Sequence, residues 1–403
     1  MTASTPALFE LTEHASSYFD SQELTSSQGR LLFQRFGNYL DVEFPSPPTG
    51  DRWRITPKGW VGAFPLDDTA TFVARPKLPI RNLARMLGLV YELPVHSFPE
   101  LVSCQTLPEL YDQLALFLAG RAHQVLMGGP HQAYRSTTKS LTAIRGRLDI
   151  PTAIRRPVTS GTPCRFDQRT GDTIENEAIL WTFERILRSG LCSEATRERC
   201  RDVYRRFLNV ATVRKVESEE LRAVRYTRLT ERYRIPHALC LLFLENSAPI
   251  VDTGNIETVP FLFSMPVLFE SFVAKWLERR LRSAKTGLNL RKQERSRVGT
   301  TASVGFTIDL VLYDDLSGRA VCVLDTKYKD VAAPASDDVA QIGYYALLKG
   351  CELGGLVYPV SVMHEWEGMS GAVSTFRSSF ALDYDLEAAG ERFFADLRAR
   401  LEV

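Results

Sequence analysis

Apolar residues recur along this chain with two periods, and the change of period marks its elements. In the C-terminal third, SMPVLFESFVAKWLERRL sets Leu268, Phe269, Phe272, Val273 and Trp276 on one stripe at helical spacing. FTIDLVLY and AVCVLDTKYK read as strands, with DLSG as the turn between them. SDDVAQIGYYALLKG reads as a helix with an acidic cap and a glycine stop, and GGLVYPVSV as a further strand. Helix, hairpin, helix, strand predicts an α/β core.

Upstream the pattern is different. Residues 1 to about 98 hold short alternating runs, WRITPKGWVGAF and ATFVARPKL, punctuated by Pro and Gly. NLARMLGLVYEL is helical, with Leu83, Met86, Leu87 and Val90 in register. LPELYDQLALFLAGRAHQVLM is an amphipathic helix that GGP stops. IRGRLDIPTAI then reads as strand, and PCRFDQRTGDTIENEAILWTFERIL as a loop feeding a helix. Arginine-rich helices follow to about residue 247, and the turn-rich NSAPIVDTGNIETVP is the boundary candidate. The expected organisation is a β-rich N-terminal domain (1–100), a mainly helical middle region (101–255) and an α/β domain (256–403), α+β overall.

Composition narrows the picture modestly. With 403 residues, 44% hydrophobic and 24% charged, the chain is an ordinary globular sequence long enough for more than one domain. A net charge of +1 leaves any nucleic-acid surface to a local patch. The seven cysteines are scattered, with no CxxC pair or zinc-like grouping, which predicts reduced, buried thiols. The N-terminus lacks the basic start and apolar core of a signal peptide, and no apolar run is long enough for a membrane helix. A cytoplasmic protein with no membrane partner is expected. His14, His96, His123, His131, His237 and His364 form no i, i+4 pair and are read as structural. Asp167, Asp172 and Asn176 in FDQRTGDTIEN are read as a loop with a helix cap.

The hairpin carries the chemistry. Ionised groups inside apolar strands are costly unless something positive meets them. Yet Asp309 stands in the first strand, and Asp325 two positions before Lys327 in the second. Residues two apart on a strand share a face, so Asp325 and Lys327 project together. A turn through DDLSGRA brings Asp309 alongside. Two carboxylates with a lysine suit Mg²⁺, which takes one or two carboxylates plus water and phosphate oxygens. Such an ion polarises a phosphate and acidifies a water, which Lys327 orients or helps deprotonate. The competing reading is a solvated hairpin with a surface ion pair worth about 0–1 kcal/mol. Glu270, on the edge of the apolar helix stripe, either reaches the same pocket or is an ordinary helix-flank acid. Gln341 and Tyr345, one helical turn apart, share a face; either fits the pocket or is core-edge packing, the reading favoured for Tyr345.

The order helix Glu, strand Asp, strand D-x-K, helix Gln resembles the PD-(D/E)xK nuclease superfamily. More narrowly, MPVLFESFVAKWL, VLDTKYKD, DDVAQIGYYAL and LVYP resemble the McrC family, the nuclease subunits of McrBC-type modification-dependent restriction systems. GWVGAFPLDDTATFVARPKLPIRNLARMLG resembles that family's N-terminal region, and IRGRLDI with RTGDTIENEAI its middle. The resemblance implies a nuclease-like mixed sheet flanked by helices, with Asp309, Asp325 and Glu270 as metal ligands. It makes Lys327 the catalytic lysine and Gln341 its supporting glutamine, with Mg²⁺ as cofactor and Mn²⁺ as a possible substitute. The family usually has proline before the first aspartate, where this chain has Ile308. Proline there shapes backbone and binds no metal.

Between residues 279 and 297, eight Lys or Arg stand against one acid, Glu294. This stretch is read either as contact for a phosphate backbone or as a solvated basic loop. No phosphate-binding G-x-x-x-x-G-K-[ST] motif and no zinc-finger pattern occurs in the sequence. A nuclease without motor or reader depends on a partner. The resemblance implies a hexameric McrB-like AAA+ GTPase that recognises modified cytosine in double-stranded DNA and is stimulated by this subunit, with the N-terminal region as the docking element. The alternatives are a non-catalytic adaptor that activates the NTPase, and a related nuclease acting on RNA or flaps.

Overall fold

The computed structural model describes residues 7–67, 69–94, 98–155, 161–247, 259–298, 304–361 and 366–401. It is a mixed α/β protein, with twelve α-helices among the described residues. The chain divides into two units: residues 1–110 with 262–403, and residues 111–261. The segments expected at 1–100 and 256–403 thus fall largely into one unit, and most of the boundary stretch before residue 259 lies outside the described residues.

The first unit is built on a six-stranded mixed sheet. Its order is Leu288–Val298, Val304–Asp314, Ala320–Thr326, Leu353–Tyr358, Val373–Ser379 and Glu367–Ser370. The first three strands pair antiparallel, the next two join in parallel, and the last returns antiparallel. Runs such as Leu310–Val311–Leu312 and Cys322–Val323–Leu324 are buried along their whole length, as expected where helices cover both faces of a sheet. The Met265–Ala284 helix starts with Pro266 in its first turn and buries Leu268, Phe269, Phe272, Val273 and Trp276, the predicted stripe. Each such side chain contributes roughly 1.5–3 kcal/mol. The Ser336–Lys349 helix has Asp337 and Asp338 in its first turn and ends on Gly350 in the left-handed conformation. Its cap is Ala335, which makes no side-chain bond, so the acids favour the helix start by charge alone.

Residues 7–110 add a four-stranded sheet, in which Ala7–Thr12, Ala70–Arg75 and Trp60–Pro65 are joined by Phe261–Ser264. A three-stranded sheet of Ser17–Phe19, Trp53–Pro57 and Leu40–Glu43 accompanies it. Trp53 is buried against Gly29, where an added Cβ would lie 2.3 Å from the ring, so only glycine fits. Two buried polar contacts join the ends of the chain. Asn82 Nδ2 donates to the Leu382 and Tyr384 carbonyls at 2.6 and 2.8 Å. Tyr328 OH donates to the buried Glu13 at 3.1 Å.

The second unit is mainly helical. The Ile174–Ser189, Glu194–Leu208 and Arg234–Glu245 helices bury Phe183, Phe207 and Phe243. It also holds a three-stranded sheet that the apolar pattern did not announce. Thr162–Thr170, read from sequence as loop, is a strand pairing antiparallel with Ala133–Leu141 along its length. Of IRGRLDIPTAI, only Arg147–Leu148 is strand, and Ile150–Arg155 is helix. Two strands of this sheet, Ala133–Leu141 and Arg147–Leu148, bury no residue, and Thr162–Thr170 alternates only over Cys164–Asp167, too short a run to reveal a half-buried strand. Ile144, Leu148, Ile150 and Ile154 stand exposed there.

Candidate functional site

The site forms at the carboxyl ends of the Ala320–Thr326 and Leu353–Tyr358 strands, the edge where ligands bind in open α/β sheets. Leu310 pairs with Leu324, and Asp309 and Asp325 are the next residues beyond that pair. Asp309 Oδ2 accepts the Thr326 backbone N–H at 3.1 Å and the Thr326 hydroxyl at 3.3 Å. The second strand's backbone therefore holds the first strand's carboxylate.

Lys327 leaves the sheet with its N–H on the Val357 carbonyl at 2.8 Å. Its Nζ donates to Gln341 Oε1 at 2.8 Å and lies 3.6 Å from Asp338 Oδ1. The ammonium is also 2.8 Å from Asp325 Oδ2, but off the direction of a hydrogen bond. That oxygen, on a side chain only 3% exposed as a residue, thus has an ion pair and no aligned donor. Gln341 Nε2 donates onward to Tyr345 OH at 2.9 Å. Glu270, half-buried on the Met265–Ala284 helix, accepts a hydrogen bond from Gln293.

Electrostatics bind these groups into one neighbourhood. Burial, then the Asp309 charge, pushes Glu270 up to about 7; the Gln293 hydrogen bond opposes, and Asp325 adds to the rise. Burial, then Asp309, raises Asp325 to about 6 despite Lys327. Asp309 is itself raised by burial, against its Thr326 hydrogen bonds. Burial pulls Lys327 down, but Asp325, Asp338 and Asp309 outweigh it, and its pKa lies above the ordinary lysine value. Lys327 is therefore a permanent cation at neutral pH, while three carboxyls repel one another nearby.

Among the described residues, no group of three His, Cys, Asp or Glu side chains is arranged as a ready metal cage. The donors nonetheless fit a hard divalent ion. Asp309 and Asp325 would supply oxygen ligands, one buried oxygen has only its ion pair with Lys327, and Mg²⁺ would complete its shell with water and phosphate oxygens.

Three participants escaped the sequence reading. Asp338, read as a cap, is 7% exposed and pairs with Lys329 at 3.2 Å as well as facing Lys327. Its place three residues before Gln341 on a helix was a usable signal. Thr326 and Gln293 had none. The basic stretch 279–297 is the end of a helix followed by the edge strand Leu288–Val298. Several of its cations are engaged: Arg280 with Glu391, Arg282 and Lys292 with Glu278, and Arg291 over the Tyr313 ring. Arg295 and Arg297 stay exposed on that strand. In the other unit, Asp172 accepts the Thr212 N–H at 2.6 Å, and Asn176 is buried among backbone carbonyls. His96 and His364 lie outside the described residues. No described helix is long and apolar enough to cross a membrane.

Fold and cluster together define an α/β protein with a buried ionic site at the carboxyl edge of a mixed sheet. The chain belongs to the family of McrBC 5-methylcytosine restriction system components, whose model matches residues 50–359. It is 23% identical over 235 residues to the type IV methyl-directed restriction enzyme EcoKMcrBC of Escherichia coli (strain K12). That match covers 56% of this chain and 66% of that protein, so the chain spans just under two thirds of its curated relative. A chain from a Thermococcus gammatolerans half-complex, part of a tetradecameric assembly of McrB AAA+ hexamers with bound McrC, shares the fold. Its TM-score is 0.62 at 19% identity, over 98% of this chain and all of that one. A T. gammatolerans McrBC complex solved by cryo-EM aligns at a TM-score of 0.44 and 19% identity, over 68% of this chain and 88% of that one.

Proposed function

We propose that this chain is the endonuclease subunit of its restriction system, hydrolysing DNA phosphodiesters with Mg²⁺ under the direction of an AAA+ GTPase partner. The observation that carries this reading is the convergence of Asp309, Asp325 and Glu270 with a lysine held by Gln341.

Asp309 and Asp325 would hold the ion, with Glu270 joining through water or directly; when bound, the ion supplies Lewis-acid polarisation of the phosphate and a more acidic water. The remaining work belongs to the chain. Thr326 fixes the Asp309 carboxylate, so its oxygens point one way before any ligand arrives. Gln341 and Asp338 hold the Lys327 ammonium near the carboxylates. Lys327, protonated beside these carboxylates, would orient water and oppose charge building on phosphate oxygens. Exposed Arg295 and Arg297 offer sequence-independent backbone contacts beside the site.

Recognition of modified cytosine we assign to the partner, as the family and the McrB hexamers of the T. gammatolerans assembly suggest. Docking on the partner and stimulation of its GTPase we assign to residues 1–100, on the family resemblance. The exposed aliphatic residues around Ile144 and Ile154 offer a second surface for it.

The alternative, a non-catalytic adaptor, is favoured by the lack of a ready three-ligand cage among the described residues. One experiment separates the two. Asp325→Ala and Lys327→Ala chains are assembled with the AAA+ partner and GTP, and cleavage of methylated DNA is followed with Mg²⁺. A loss of at least about a thousandfold with assembly and GTP hydrolysis intact is expected. Unchanged restriction in both variants would establish the adaptor.

A further inference from the structure

Gln293 is the one residue of its strand with a left-handed backbone, at φ 50°. Non-glycine side chains rarely adopt that conformation, and it persists only where surroundings over-determine it. Here they do. Lys292 pairs with Leu310 and Glu294 with Ile308, so Gln293 stands in the ladder beside Asp309. In an unbroken strand residues two apart share a face. Lys292 instead reaches Glu278 of the Met265–Ala284 helix at 2.9 Å. Glu294 is held by Lys349 of the Ser336–Lys349 helix at 2.7 Å and by Tyr313 OH at 2.9 Å. The strand is pinned on either side of the kink to two different helices, and the kink turns the Gln293 amide onto Glu270 Oε1.

We propose that Gln293 is a positioning residue for the cation site: its strained backbone is kept because it aims an amide donor at Glu270. One Glu270 oxygen is thereby held, leaving the other for the ion or a water bound to it. Gln293 touches neither metal nor substrate in this role. The inference rests on the proposed function, since it assumes that Glu270, Asp309 and Asp325 take a divalent cation.

The test uses the full chain and Mn²⁺ alone, with affinity read directly by titration and stability by thermal unfolding without metal. Gln293→Gly keeps the left-handed backbone at no steric cost and removes the amide. The expected result is a midpoint equal to or above the parent's, with Mn²⁺ affinity lowered about five- to tenfold. Gln293→Asn also tolerates the backbone but carries a shorter amide, and should lose affinity similarly without losing stability. Unchanged affinity in both variants overturns the proposal, as does a midpoint several degrees lower in Gln293→Gly, which would make the residue structural. Asp309→Asn and Asp325→Asn are the controls. If they abolish Mn²⁺ binding while Gln293→Gly leaves it intact, only the positioning role fails. If they too bind normally, the cation site fails with it.

Discussion

Two buried polar clusters, one in each unit, differ in how their groups are satisfied. In the helical unit, Asn176 Nδ2 donates to the His131 and Gly171 carbonyls, both at 2.8 Å, and its Oδ1 accepts Tyr233 OH at 2.7 Å. His237, fully buried, lies between Tyr226 OH and the Glu175 carbonyl, each at 3.0 Å. The principal polar atoms there have partners, as a cluster that only holds a fold requires. At the sheet edge, three carboxyls repel one another, Asp325 Oδ2 lacks an aligned donor, and a strand residue sits in a strained conformation. Cost left unrelieved in this way is what supports the proposed cation site.

Apart from the thousandfold loss expected at Asp325 and Lys327, the largest test of this contrast is Asn176→Ala. It removes the acceptor of the Tyr233 hydroxyl proton and the donor to the His131 carbonyl, while Gly171 keeps the Thr173 N–H, and should cost about 3 kcal/mol in urea unfolding. The folded fraction should cleave normally. A stable Asn176→Ala chain that no longer cleaves would erase the contrast.

The clusters should also titrate in opposite directions. Burial pushes His237 down to about 4, below its ordinary 6.5. A depressed histidine contributes stability that is fully present above pH ~6.5 and lost as pH falls toward 4, on the order of 3 kcal/mol. His237→Gln should flatten that limb of the unfolding free energy, and a parent-like slope in the variant would refute the assignment. Glu270 at about 7 and Asp325 at about 6 lie above their ordinary 4.5 and 3.8. Raised carboxyls contribute stability that is present below pH ~4 and lost as pH rises through 6 to 7 in metal-free protein. Divalent ions should reverse that loss, so the rise in thermal midpoint on adding Mg²⁺ should grow between pH 5.5 and 8. A rise independent of pH would place the ion elsewhere.

The smallest effect is expected at Gln341→Ala. Lys327 keeps its pairing with Asp325 and Asp338 but loses an oriented acceptor, so cleavage should fall about tenfold at unchanged stability.

The proposed site was legible in part because acids inside aliphatic runs are a conflict that sequence displays directly. Asp309, Asp325 and Lys327 stood out on that ground, while helix spacing left Glu270 and Gln341 open and only the family resemblance assigned them. Asp338 was passed over because an acid at a helix start already has an explanation. The strand Thr162–Thr170 went unread because its apolar alternation is short, with buried Cys164 and Phe166 beside exposed Arg165 and Asp167, and polar residues follow. The basic stretch looked like loop because alternating charges on an edge strand resemble a solvated segment. The joining of residues near both chain ends into one unit depends on contacts such as Asn82 with Leu382, separated by 300 positions, which no local window records.

By itself the sequence determined which groups are ionisable, where the apolar period changes from helix to strand, and that two acids and a lysine fall in one hairpin. Those are properties of single residues and of spacing along the chain. Only the tertiary structure decided how strongly the acids repel, that Lys327 stays charged, that Gln293 is bent into the left-handed region, and that Asp325 keeps an oxygen without a donor. Those follow from dielectric and register, which distant neighbours impose when they pack.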